Sequence, residues 1–196
     1  MMKNKQTEKN TRPIVRLRAL EPEDLDLLYK MENDRDLWEV GTTNVPYSRY
    51  ALHNYIANCS CDIYVDRQLR MIAENVAHET VGIVDLVNFN PQHGRAEVGI
   101  VILKRYREQG YAWSALSQLI DYARNILNLH QLYAIVCQDN TASVHLFQSL
   151  GFQRQMELKD WLREDNQYKD AWVMQYFFDH CQDRSATPSP FPRPWS

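Results

Sequence analysis

The chain has 196 residues, with 22 Lys and Arg against 25 Asp and Glu, and a formal charge of −3. That length and a 44% hydrophobic fraction fit one ordinary globular domain whose core needs no disulfide or metal staples. The near-balanced charge weighs against counterion-release binding to nucleic acid as the main activity, and six glycines are too few for a glycine-repeat architecture.

Met1 to Arg12 is polar, with Lys3, Lys5 and Lys9, and is expected to form a flexible arm over residues 1–12. Nothing after it reads as a signal peptide or a membrane anchor. Ile14 to Arg18 alternates apolar and charged residues, as a half-buried strand does. Glu21-Pro22-Glu23-Asp24 opens a helix with Leu25, Leu28 and Met31 on its apolar positions. Asn33 to Pro46 lacks periodicity and reads as a loop. Ser48 is placed to cap a second helix carrying Leu52, Tyr55 and Ile56. From Asp62 the pattern turns to strands over Leu69 to Glu74, Thr80 to Phe89 and Arg95 to Leu103. Asn90-Pro91-Gln-His-Gly94 makes the turn between the last two.

A long amphipathic helix is predicted from about Gln109 to Leu127, burying Ala112, Ala115, Leu116, Leu119, Ile120 and Ala123. Leu132 to Cys137 is continuously apolar, as in a strand buried on both faces. Another helix is expected from about Asn140 to Leu150, closed by Gly151. Phe152 onward and Tyr168 to Phe178 read as an antiparallel pair turning near Asp165-Asn166. The expected fold is α+β: one domain over residues 13–180, a central mixed β-sheet of about seven strands flanked by about four helices. Residues 181–196 form a proline-rich tail with Pro188, Pro190, Pro192 and Pro194, which prefers an extended conformation. Cys59-Ser-Cys61 is spaced too tightly for a zinc knuckle, and Cys137 and Cys181 supply no second pair. Reduced thiols, no metal and a cytoplasmic location are expected; neither nucleic acid nor a membrane is an expected partner.

The most informative stretch joins the third central strand to the long helix: Lys104-Arg-Tyr-Arg107-Glu-Gln-Gly110-Tyr-Ala112. The first N–H groups of a helix have no partner within it, and its dipole places partial positive charge there. Such a turn is a ready anion nest, with phosphate the usual guest, and Gly110 permits close backbone approach. The plainer reading of Gly110 is a glycine that eases entry to the helix. Neither a G-x-x-x-x-G-K-[ST] nor a G-x-G-x-x-G loop is present, so nucleotide hydrolysis and Rossmann dinucleotide binding lose support.

Arg107-Glu-Gln-Gly110-Tyr-Ala112 resembles the [QR]-x-x-G-x-[GA] acetyl-CoA signature of the Gcn5-related N-acetyltransferases (GNAT). Asn140-Thr-Ala-Ser143-Val-His-Leu146-Phe147-Gln-Ser-Leu-Gly151-Phe152 is similar to a second element of that family, and Tyr168-Lys-Asp170 to Met174 to its closing hairpin. Leu17-Arg18-Ala-Leu-Glu-Pro-Glu-Asp-Leu and Arg95-Ala-Glu97 narrow the likeness to the spermidine/diamine and ribosomal-protein-alanine acetyltransferase branches.

This resemblance implies direct attack of a primary amine on the acetyl-CoA thioester. The acceptor would be a polyamine, another small amine or a protein N-terminus. Backbone amides of Arg107, Glu108, Gln109, Gly110, Tyr111 and Ala112 would hold the CoA pyrophosphate. The main chain at Ile102 and Leu103 would pair with the pantetheine arm, and Asn140, Ser143 and Phe147 would lie along it. Glu97 and Asp85 are the candidate proton acceptors, each alternatively an acid neutralised by Arg95 or Arg70. Among the acids Glu32, Asp34, Asp36 and Glu39, Glu32 and Asp36 are the candidate acceptor contacts, or the group is a solvated cluster ending the helix. Trp38 and Tyr47 would wall the acceptor pocket or pack the loop. Where many family members place a tyrosine to protonate the leaving thiolate, this chain has Phe147, leaving solvent, His145 or Ser143 for that task. The competing reading is a non-catalytic acyl-CoA-binding protein. The resemblance also admits a homodimer.

Overall fold

A computed structural model describes residues 12–34, 45–164 and 166–178. Seven strands form one sheet: β1 (Val15–Ala19), β2 (Leu69–Asn75), β3 (Thr80–Asn90), β4 (Arg95–Ile102), β5 (Gln131–Cys137), β6 (Gln153–Glu164) and β7 (Gln167–Phe177). Their spatial order is β1-β2-β3-β4-β5-β7-β6, antiparallel throughout except where β4 and β5 run parallel. The helices are α1 (Leu25–Glu32), α2 (Arg49–Ala57), α3 (Ile63–Asp66), α4 (Tyr111–Asn125) and α5 (Thr141–Ser149), with 3-10 turns at Pro22–Asp24 and Lys104–Tyr106. The mixed α+β architecture is as expected, with one addition. The single turn α3, capped by the Asp62 carboxylate on the Tyr64 N–H, falls where the sequence read as the approach to a strand.

Most predicted boundaries hold to within one or two residues, for visible reasons. Ser48 caps α2 through the Ala51 N–H, Asn140 caps α5 through the Ser143 N–H, and Gly151 leaves α5 at φ +95°. Two expectations change. Ala112 is half-buried rather than core, because the first turn of α4 opens toward its N-terminal loop. β5 alternates between buried and half-buried residues, so only its Leu132, Ala134 and Val136 face is fully covered.

The core lies on both faces of the sheet. One large cluster packs Leu116, Leu119 and Ala123 of α4 and Val144 and Phe147 of α5 against Val84, Leu86, Ala96, Val98 and Leu132. A smaller one sets Leu28 and Met31 of α1 and Leu52 of α2 against Ile72 and Ile83. Arg18 fastens the β1–α1 corner. Its Nη atoms grip Asp24 at 2.7 and 2.8 Å, and its Nε donates to Glu74 at 2.6 Å. Asn33 closes the loop after α1: Tyr47 N–H donates to its Oδ1 at 2.8 Å, and its Nδ2 donates to the Tyr47 carbonyl at 3.0 Å.

Candidate active site

The site begins with an interrupted strand pairing. β4 and β5 pair only over Arg95–Glu97 and Gln131–Tyr133, then part, while β5 continues against β7 as far as Cys137. Because the two strands are parallel, α4 and α5 both begin at the open end of this cleft. Each presents there the unpaired N–H groups and positive dipole end of its first turn.

Strand register decides which main-chain groups face the cleft. The Leu103 N–H donates to the Val81 carbonyl at 2.9 Å, and Val101, Gly99 and Glu97 stand in the same phase opposite Ile83, Asp85 and Val87. Alternate residues of an antiparallel strand turn their polar groups the other way, so Val98, Ile100 and Ile102 aim theirs into the cleft. The Ile102 carbonyl confirms the direction by accepting from Arg107 Nε at 3.0 Å. Leu103 therefore departs from expectation: its N–H is spent on Val81 and its carbonyl accepts from the Tyr106 N–H at 2.8 Å. Ile100, which sequence reasoning passed over, is the residue whose main chain an extended, amide-bearing arm would meet.

The loop entering α4 has the conformation of a nest. Glu108 takes φ +61° and Gly110 φ +85°, two left-handed residues following the extended Arg107. The first helical bond runs from the Ser114 N–H to the Gly110 carbonyl, so the N–H groups of Tyr111 and Ala112 have no helical partner. A Cβ on Gly110 would stand 3.1 Å from Pro13 Cδ, in a backbone region that side chains avoid. Gln109 bonds back to the Arg105 carbonyl at 2.9 Å, and Tyr111 packs edge-on against Tyr106. The donor set suits a diphosphate.

At the second helix start, Asn140 Oδ1 accepts from the Ser143 N–H at 3.0 Å, which fixes both predicted residues beside the cleft's open end. Phe147 lies one turn on, 3% exposed and edge-on to Phe152 at 5.0 Å. His145 is on the exposed side of α5, whereas Ser143 shares the Phe147 face.

The acids gather on the opposite face, the one covered by α1 and α2. Arg70 holds Asp85 in a fork, Nε to Oδ1 at 2.9 Å and Nη2 to Oδ2 at 3.0 Å, and its Nη1 donates to Glu32 at 2.6 Å. Burial opposes the Arg70 charge, but Asp85 outweighs it and keeps the guanidinium protonated. Burial likewise pushes the phenol of neighbouring Tyr55 up. Gly99 stands opposite Asp85 and leaves room above it, a Cβ there lying 3.4 Å from Asp85 Cβ. Glu97 is half-buried and accepts from Asn88 Nδ2 at 2.8 Å. Tyr47 is exposed and carried by the Asn33 clasp. Asp36 and Trp38 lie outside the described residues, as does the tail from residue 179. Asn88 and Tyr133 escaped sequence reasoning because they meet Glu97 only once the sheet forms, whereas Arg70, named as a possible partner of these acids, does neutralise Asp85.

Among the described residues no group of three or more His, Cys, Asp and Glu could hold a metal, and no helix is long and apolar enough to cross a membrane. The model of the acetyltransferase (GNAT) domain matches residues 15–153. The spermidine N(1)-acetyltransferase of Escherichia coli K12 is 31% identical over 175 residues, covering 85% of this chain and 90% of that protein. That of Vibrio cholerae is 29% identical over 155 residues, covering 79% and 88%. The crystal structure of the Vibrio cholerae enzyme in complex with CoA and spermine matches with a TM-score of 0.76 at 28% identity, over 83% of this chain and 95% of that one. With a nest at one end of the cleft and acids across the sheet from it, the chain belongs to the GNAT acetyltransferase family and is an acetyl-CoA-dependent N-acetyltransferase acting on amines.

Proposed function

We propose that this enzyme acetylates a primary amine of a polyamine of the spermidine class. The observation that carries the reading is the gathering of Glu32, Asp85 and Glu97 on one sheet face, opposite the face on which α4 begins. A polyamine needs several carboxylates to meet its ammonium groups, and the named relatives act on spermidine.

Acetyl-CoA supplies the activated acetyl group. The amides from Arg107 to Ala112 hold its diphosphate, the outward groups of Ile100 and Ile102 align its amide-bearing arm, and Asn140 and Ser143 flank that arm. A cleft amide near the carbonyl polarises it as a preorganised dipole. An alkyl ammonium has a pKa of about 10 and must lose a proton before it attacks. Glu97 receives that proton directly or through water. Asp85, already bound by Arg70, contributes charge and pocket shape. The departing thiolate takes its proton from Ser143 or solvent, because Phe147 has none to give.

The setting of this reading is the cytoplasm, consistent with the free thiols of Cys59, Cys61 and Cys137. Its assembly is a homo-oligomer; a dodecameric structure is known for the Vibrio cholerae enzyme. The edge strand β6 and its hairpin, with Met156, Trp161 and Tyr168 exposed, supply the contact surface. A CoA-release assay over spermidine, spermine, putrescine, free amino acids and peptides with free N-termini tests the acceptor. Spermidine and spermine should lead the panel by at least tenfold in kcat/KM. A peptide N-terminus leading it would overturn the polyamine reading, and Glu97→Gln with unchanged kcat/KM would overturn the proton acceptor.

A further inference from the structure

The β3–β4 ladder slips between Val87 and Asn90, and within that bulge Asn88 takes φ +51°. Few side chains adopt this backbone; asparagine tolerates it better than most. Val87 is the Cα partner of Glu97, so in an unbroken ladder Asn88, one residue on, would point to the other face. The bulge brings its side chain back, and Nδ2 donates to Glu97 Oε2 at 2.8 Å. A left-handed residue inside a long strand is a local cost, and such costs concentrate where geometry matters for function.

Glu97 is braced from its other flank as well. Its Cα partner across the short parallel pairing is Tyr133, whose phenol interacts with both Glu97 and Asn88. Burial first, then the Glu97 charge, pushes that phenol up, so it remains a donor at neutral pH. Of the elements packed around Glu97, β3 presents Asn88, β5 presents Tyr133 and β4 itself presents Arg95, whose charge acts on the same phenol. The Arg70–Asp85 pair sits one step further along the face, opposite Gly99. Glu97 thus stands at the last paired position before the strands part, with Oε2 occupied by an amide.

We propose that Asn88, presented by the β3 bulge, is a positioning residue for N-acetylation: it holds the Glu97 carboxylate beside the β4–β5 cleft, with Tyr133 bracing the opposite side. This rests on Glu97 being the proton acceptor. Asn88 acts through that carboxylate and not on the amine.

The test compares kcat and KM for wild type, Asn88→Gly, Asn88→Asp, Tyr133→Phe and Glu97→Gln, using spermidine or the amine the panel identifies. Glycine suits φ +51°, so Asn88→Gly keeps the backbone and its thermal midpoint while removing the amide. It should lower kcat about tenfold, with KM for acetyl-CoA unchanged. Asn88→Asp should lower kcat further, since like charges then face each other, and Tyr133→Phe should lower it as well. In the Glu97→Gln background, Asn88→Gly should cost nothing more. A kcat for Asn88→Gly within twofold of wild type overturns the proposal while leaving Glu97 as proton acceptor. If Glu97→Gln itself keeps full activity, the proton-acceptor reading has failed, and this one with it.

Discussion

Arg70 and Asp85 face each other across β2 and β3 in a two-pronged ion pair, at 2.9 and 3.0 Å, and the third arm of the same guanidinium reaches Glu32 at the end of α1. One cation therefore ties the C-terminal end of α1 to β3, the neighbour of the strand that borders the cleft. Arg70→Met removes the cation that Asp85 and Glu32 share. It should cost about 2–3 kcal/mol in urea unfolding, below the fully buried range because all three side chains keep some solvent access. The KM for the amine should rise more than the KM for acetyl-CoA, since the nest is on the other face.

Gly110→Leu should abolish binding of acetyl-CoA, measured by calorimetry, while circular dichroism stays native. The residue combines φ +85° with a Cβ position 3.1 Å from Pro13 Cδ. Gly110→Ala brings the same Cβ to 3.1 Å from Pro13 Cδ along with the left-handed penalty of about 1–2 kcal/mol, but no larger side chain, and should bind more weakly but measurably.

Phe147→Tyr restores an acid where the chain has a bare ring. It should raise kcat by up to about 10²-fold if thiolate protonation limits turnover. Pre-steady-state CoA release identifies the step that has accelerated. Ser143→Ala should lower kcat in wild type and lose its effect in the Phe147→Tyr background.

Stability should fall in acid through Asp24. Burial alone would raise its carboxyl, but Arg18 and the Glu21 N–H outweigh it and hold it below the ordinary carboxylate range. A group depressed in the folded state stabilises fully above its unfolded value, near 4. That contribution is lost as pH falls through the lower folded value. Urea midpoints for wild type should therefore drop between about pH 4 and pH 2. Arg18→Met should already be about 3 kcal/mol less stable at neutral pH, and its own drop should be smaller.

Much of this architecture is legible in the chain because its signals are local. Alternation at Val15 to Ala19, the Ser48 and Asn140 caps, and Gly151 past α5 each act within a few residues. Gly110 is equally local, since the loop conformation and the anion nest come from the same short stretch. The single turn α3 was not legible, because four residues are too few to express helical periodicity. Nor was the direction of the Leu103 N–H, which depends on the register against Val81 on another strand. The Arg70 fork and the Asn88 clasp on Glu97 likewise join residues that meet only once the sheet has formed. Acidic side chains, with Arg70 and Arg95 as their possible cations, could be nominated from sequence; the Asn88 amide on Glu97 could not.

The sheet is continuous, yet its backbone pairing narrows to a short seam at its centre. Three residue pairs between β4 and β5 join a four-stranded block to a three-stranded one, and beyond Glu97 the two edges stand apart. An extended arm lying against Ile100 and Ile102 would act as a keystone, bonding to the edge that the seam leaves bare. Cosubstrate occupancy and rigidity of the whole domain are then one variable. Acetyl-CoA should slow amide exchange on both sides of the seam and raise the thermal midpoint well beyond what a surface ligand achieves. Release of CoA then leaves the bare edge of the seam exposed again.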